Sequence, residues 1–135
     1  MIVRMARKSG SRSIEKPLTA TELEMMNVLW RIAPASVHQV VEALRPQRHL
    51  AYTSVSTIVR ILEQKGYVRS RKEGRGHLYE PTIQKEAYQI ASLQHLVSNV
   101  FDGTPRLLVQ RLVDSEQLNP EALDEIRRAL RKKER

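Results

Sequence analysis

From Leu18 onward, apolar residues recur three and four positions apart. Met25, Val28, Leu29 and Ile32 fall on one side of a helix with Met26 and Trp30 beside them, which predicts an element buried over a wide arc. Thr19 with Glu22 three residues on forms a capping box, and Leu18 and Leu23 stand in hydrophobic-staple positions. Pro34 ends this helix. Ser36 and Gln39 form a second capping box ahead of a short helix whose Val37, Val40, Val41 and Leu44 share a face, and Pro46 stops it. A third helix is predicted over residues 52–65, with Gly66 suited to the position just past its end. At 100° per residue, Val55, Ile58, Val59 and Leu62 cluster on one side. Thr53, Thr57, Arg60 and Gln64 cluster on the other, flanked by Ser54 and Ser56. An ordinary solvent face would favour Lys and Glu, which are better helix formers than these short hydroxyl residues.

After Gly66 the period changes from 3.6 to 2. Residues 67–72 can pair with 77–81 through Glu73-Gly74-Arg75-Gly76, giving a basic β-hairpin with Arg75 at its tip. From about Ile83 the helical period returns. Ala87, Ile90, Ala91, Leu93, Val97, Val100 and Phe101 read as one stripe, broken at Asp102-Gly103-Thr104-Pro105. Leu107, Leu108, Val109, Leu112 and Val113 form a second stripe. Asn119-Pro120 is an N-cap and first-turn pair with Leu118 and Leu123 as its staple, and Leu123, Ile126 and Leu130 form a third stripe. Residues 131–135 are charged and expected to fray.

Three helices followed by a two-stranded ribbon is the order of a winged helix-turn-helix. The fold expected is therefore mainly α: three helices and a β-hairpin wing, followed by C-terminal dimerisation helices. The expected domains are a basic flexible tail (1–17), a winged-helix DNA-binding domain (18–81) and a helical dimerisation domain (82–135). In such a fold the third helix lies in the major groove with its N-terminal residues at base edges. Tyr52, Thr53, Ser54, Ser56, Thr57 and Arg60 are the candidate DNA contacts on that helix, and Lys72 and Arg75 those of the wing. Three apolar stripes on short helices are too little mass for a separate core. Ile90, Val97, Phe101, Leu108, Leu112, Leu123 and Ile126 are the candidate dimerisation residues.

Charge distribution supports a polyanionic partner. The 135 residues carry a net charge of +8. Fourteen basic and seven acidic side chains fall within residues 1–80, against nine and eight in the remainder. The chain has one Trp, one Phe and four Tyr, so its core must be mostly aliphatic. No run approaches the ~18 apolar residues of a membrane span, and no membrane insertion is expected. Residues 1–16 are basic but lack the apolar core of a secretory signal, so a cytoplasmic location is expected. The absence of cysteine excludes disulfides, thiolate metal sites and cysteine nucleophiles. His38, His49, His77 and His95 are widely spaced and form no helical ligand pair, so no metal or other cofactor is expected. No phosphate-binding glycine loop or nucleophile elbow is present, and an enzyme is not expected.

The ordered series LTATELEMMNVLW (18–30), SVHQVVE (36–42), LAYTSVSTIVRILEQKG (50–66), RKEGRGHLY (71–79) and NVFDGT (99–104) resembles the penicillinase-repressor family, the BlaI/MecI/CopY type. The resemblance spans residues 18 to about 129. It implies a homodimeric repressor held together by its C-terminal helices, bound to double-stranded DNA at a palindromic operator, often with TACA and TGTA halves. It also implies release through cleavage by a membrane-sensor protease near Asn99, Val100 and Phe101. The copper-responsive branch carries C-terminal cysteine ligands, which this chain lacks, and the basic N-terminal segment is longer than the family's usual start. The alternative reading is a non-specific architectural nucleic-acid-binding protein.

Overall fold

The structure is a computed structural model that describes residues 17–134. The basic segment expected at 1–17 lies, except for Pro17, outside the described residues. The described elements are helices α1 (Ala20–Ile32), α2 (Val37–Leu44) and α3 (Tyr52–Gln64), strands β1 (Val68–Glu73) and β2 (Gly76–Pro81), and helices α4 (Lys85–Val100), α5 (Pro105–Asp114) and α6 (Pro120–Glu134). They fall into two compact units that divide inside α4, between Ser92 and Leu93.

Both expected capping boxes form. The Thr19 hydroxyl accepts from the Glu22 N–H at 3.1 Å while the Thr19 N–H donates to the Glu22 carboxylate at 2.9 Å. Ser36 and Gln39 make the same reciprocal pair at 3.2 and 2.8 Å. Each cap fixes the first turn, and the apolar periodicity then aims the buried face. Met25, Met26, Leu29, Val40, Leu44, Val55, Val59 and Leu62 are fully buried and form the centre of the first unit. Gly66, with φ at +85°, ends α3 in the left-handed region and lets the chain turn into β1.

The hairpin is antiparallel, with Val68 opposite Pro81 and Glu73 opposite Gly76. Each strand thus reaches one residue nearer the tip than expected, leaving Gly74-Arg75 as a two-residue turn. Gly74 takes φ of +59° there. At the other end, Tyr79 exchanges backbone hydrogen bonds with Ala35 at 2.8 and 3.0 Å, which ties the wing to the α1–α2 connection.

The helix expected from Ile83 begins at Lys85, with its first turn closed by the Tyr88 N–H on the Gln84 carbonyl. The Ile83 carbonyl instead accepts from the Trp30 indole N–H at 2.9 Å. The unit boundary also departs from the expected one at Pro81. Tyr88 and Ala91 are buried, the Tyr88 ring lies 5.7 Å from Trp30 and 5.9 Å from Tyr67, and the Leu18 N–H points to its hydroxyl. These contacts attach the start of α4 to the first unit. The single stripe expected from Ala87 to Phe101 is therefore two faces. Tyr88 and Ala91 turn inward, and Ile90, Leu93 and Val100 are exposed.

In the second unit, α5 and α6 contain no buried residue. Asn119 caps α6 as expected, accepting from the Ala122 N–H at 2.8 Å. Residues 131–134 stay helical rather than frayed, because Arg131, Lys132 and Lys133 lie beside the negative end of the helix dipole. The end of α4, at the expected Gly-Pro break, is hydrogen-bonded. The Phe101 and Gly103 N–H groups both donate to the Val97 carbonyl, and Gly103 adopts φ of +72°.

One charged pair sits at the edge of the core. The Lys65 ammonium lies 2.9 Å from both oxygens of the buried Glu22 carboxylate, joining the start of α1 to the end of α3. Burial raises the Glu22 pKa, but the Lys65 ammonium and the Thr19 N–H and hydroxyl outweigh it and hold the carboxyl below its usual 4.5. A depressed folded-state pKa stabilises the fold above the unfolded value, and that contribution is lost as pH falls through the folded value. Thermal stability should therefore drop below about pH 4.5, and Glu22→Gln should flatten that part of the profile. An unchanged acid limb in the variant would remove Glu22 from the account. Lys65→Met should cost about 2 kcal/mol at neutral pH, by leaving a buried carboxylate one partner short.

Candidate nucleic-acid interface

Helix α3 is fixed from behind. Val55, Val59 and Leu62 have no exposed surface, whereas Tyr52, Thr53, Ser54, Thr57, Arg60 and Gln64 are exposed. Ser56 is half-buried, so it contributes less to the open face than its neighbours. The N-cap position of α3 is Ala51, so unlike α1 and α2 this helix starts with no capping side chain on its first N–H groups. The Thr57 hydroxyl donates to the Thr53 carbonyl at 2.9 Å.

The basic side chains of this unit divide into two sets. Arg45 pairs with Glu42, Arg48 with Glu24 and Lys65 with Glu22, while Glu80 accepts from both Arg69 and Arg71. Arg60, Lys72 and Arg75 make no ion pair with any described residue, nor do Arg31 at the end of α1 and Lys85, whose ammonium lies 6.0 Å from the centre of the Trp30 ring. On the wing, the cations near the base are thus partly neutralised by Glu80, and those toward the tip keep their charge for an external anion. Tyr79 links wing and helix electrostatically. Burial and the charge of Glu63 push its phenol up, and the nearby Arg60 guanidinium opposes them.

The structure adds His38, which the sequence pattern considers only as a metal ligand. Its ring lies 4.4 Å from that of Tyr52, centroid to centroid, at a 40° tilt. Tyr52 is 45% exposed and opens α3, so the stack braces a candidate contact residue from α2.

The candidate dimerisation residues lie in two settings. Ile90 and Ile126 are 53% and 51% exposed, while Val97, Phe101, Leu108, Leu112 and Leu123 are half-buried. Phe101, Leu108 and Leu112 line one groove of the second unit, rimmed by Arg111, Asp114, Ser115 and Gln117. Of the candidate cleavage residues, Asn99 and Val100 are exposed and Phe101 is half-buried. The Asn99 amide donates to the His95 carbonyl at 2.8 Å. Among the described residues no helix is long and apolar enough to cross a membrane.

A braced helix-turn-helix with an open polar face and a basic hairpin beside it defines a winged-helix DNA-binding protein. The family profile of the penicillinase repressors matches residues 18–132. The chain belongs to the penicillinase repressor family, and it is a DNA-binding transcriptional repressor of the BlaI/MecI type, not an enzyme. It is 24% identical over 116 residues to the methicillin resistance regulatory protein MecI of Mammaliicoccus sciuri, covering 86% of this chain and 94% of MecI. It is 32% identical over 111 residues to the transcriptional regulator BlaI of Mycobacterium tuberculosis, covering 81% and 79%. A solved structure of the monomeric form of Bacillus licheniformis BlaI in complex with the blaP half-operator is 26% identical. That match covers 57% of this chain and 94% of the other, with a TM-score of 0.48.

Proposed function

We propose that the protein binds a palindromic operator as a homodimer, with α3 in the major groove and the wing on the flanking backbone. The observation that carries this is the open face of α3. Thr53, Ser54, Thr57 and Arg60 stand exposed on a helix locked from behind, next to a wing whose outer cations lack partners. Short hydroxyl side chains let the helix approach the base edges, and Arg60 is long enough to reach a guanine or a phosphate. This reading has the protein at work in the cytoplasm.

Competition tests it. A duplex selected by the protein should stay bound against a large excess of random DNA, and a non-specific architectural protein would release it. The wing acts through charge. Lys72→Ala and Arg75→Ala should each weaken binding to all sequences and lower the salt slope by about one unit per lost phosphate contact. A loss confined to one base position at unchanged slope would make the wing a base reader.

Support for the dimer comes from the second unit, whose α5 and α6 contain no fully buried residue while Val109, Val113, Ile126 and Leu130 stand exposed. A two-fold dimer matches a palindromic site. Release by a membrane-sensor protease cutting at residues 99–101 is the second part of the reading. The exposure of Asn99 and Val100 supports it. Because the α4 end is hydrogen-bonded, a cut there requires the last turn to open first. Blotting induced cells for the repressor tests this, and an intact chain that has left its operator would overturn it.

A further inference from the structure

We propose that Thr57 reads thymine through its methyl group, and that its hydroxyl donates no hydrogen bond to a base. This rests on α3 being the reading helix. A hydroxyl carries one proton, and that of Thr57 is given to the Thr53 carbonyl of its own helix at 2.9 Å. It is therefore not available to guanine O6 or N7, to adenine N7 or to a phosphate. The same bond directs the oxygen back along the helix surface, as threonine often does in helices. Because the side chain branches at Cβ, the γ-methyl is left as the branch that no hydrogen bond engages.

Thr57 is exposed and lies one turn beyond Thr53 and one turn before Arg60 on the open face. A long side chain in this central position would hold the helix away from the groove floor, and a methyl does not. The major groove offers one apolar feature of matching size, the C5-methyl of thymine. The neighbouring hydroxyls differ. Those of Thr53 and Ser54 are exposed and make no hydrogen bond with any described residue, so their protons remain available to phosphate or base acceptors.

The test uses the full-length protein and the tightest duplex it selects from a random library. Each thymine is replaced in turn by deoxyuridine, which keeps the base-pairing edge and removes only the methyl. Wild type should lose about fourfold in affinity at one position of each half-site, the value of one methyl taken from water. Thr57→Val keeps the methyl and should bind within about twofold of wild type. Thr57→Ser keeps the hydroxyl but loses the methyl in both protomers of the dimer, so it should lose about fifteenfold, with no further loss on the sensitive deoxyuridine duplex. Thermal melts confirm that both variants are folded. Serine binding like wild type while valine fails would overturn the inference, as would the absence of any deoxyuridine-sensitive position. Arg60→Ala separates the two levels of the account. If it still weakens binding, the helix reads DNA and only the methyl contact is wrong. If Arg60→Ala and Thr53→Ala also bind like wild type, the reading of α3 itself fails.

Discussion

Replacing Ile126 and Leu130 together by aspartate should turn the protein into a monomer and lower its affinity for the selected duplex by about a hundredfold or more. The two side chains are 51% and 61% exposed on α6, one turn apart, and the rest of that helix is dominated by charge. Exposed aliphatic residues on a helix with no buried face are covered most readily by the same face of a second copy. Aspartates there cost the single chain little, since neither side chain is buried in it, but they set four carboxylates against one another across a two-fold interface. Each winged helix would then hold its half-site without the effective concentration supplied by its partner, and that advantage is worth about 10²–10⁴ in affinity. Sedimentation reports the assembly and duplex titration the affinity. A variant that remains dimeric, or a monomer that binds as tightly as wild type, would remove α6 from the interface.

The second large effect belongs to Arg60. Arg60→Ala should weaken binding to the selected duplex by about 1–3 kcal/mol if a base contact is lost, and weaken binding to random duplex much less. Arg71→Ala serves as the comparison. Arg71 is exposed as well, but it already lies against Glu80 in the free protein, so its removal should change affinity less. Equal losses for the two on both kinds of DNA would mean that Arg60 acts as a phosphate cation only. Circular dichroism should show both variants folded, because neither side chain enters the core.

The sequence made the local features legible. A capping box is written in two residues three apart, so Thr19-Glu22 and Ser36-Gln39 were readable before any coordinates. The opposite faces of α3 followed from its period, and Gly66 and Gly74 stand at turns where backbone geometry favours glycine. Contacts between distant segments were not readable in this way. Tyr88 lies in a stretch whose aliphatic residues suggest a single stripe, and only its contacts with Trp30 and Tyr67 show that α4 starts as part of the first unit. The bond from Trp30 to the Ile83 carbonyl is equally silent in the pattern, and it lies where the expected helix start was misplaced by two residues. Glu22 looks like an ordinary cap residue, and its pairing with Lys65 appears only when α1 and α3 are packed together. The exposed face of α3 was legible because its residue types are unusual for a solvent face. The stack of His38 on Tyr52 was not, because it joins two helices.

Selection of bound sequences from a random duplex library, using the full-length protein at physiological salt, tests the central claim most directly. The account predicts a single enriched motif with two-fold symmetry, its half-sites spaced by about one helical turn or a multiple of it, as two copies of α3 in successive major grooves require. A pool that stays random after repeated rounds, or that yields one asymmetric site occupied by a single chain, would contradict it.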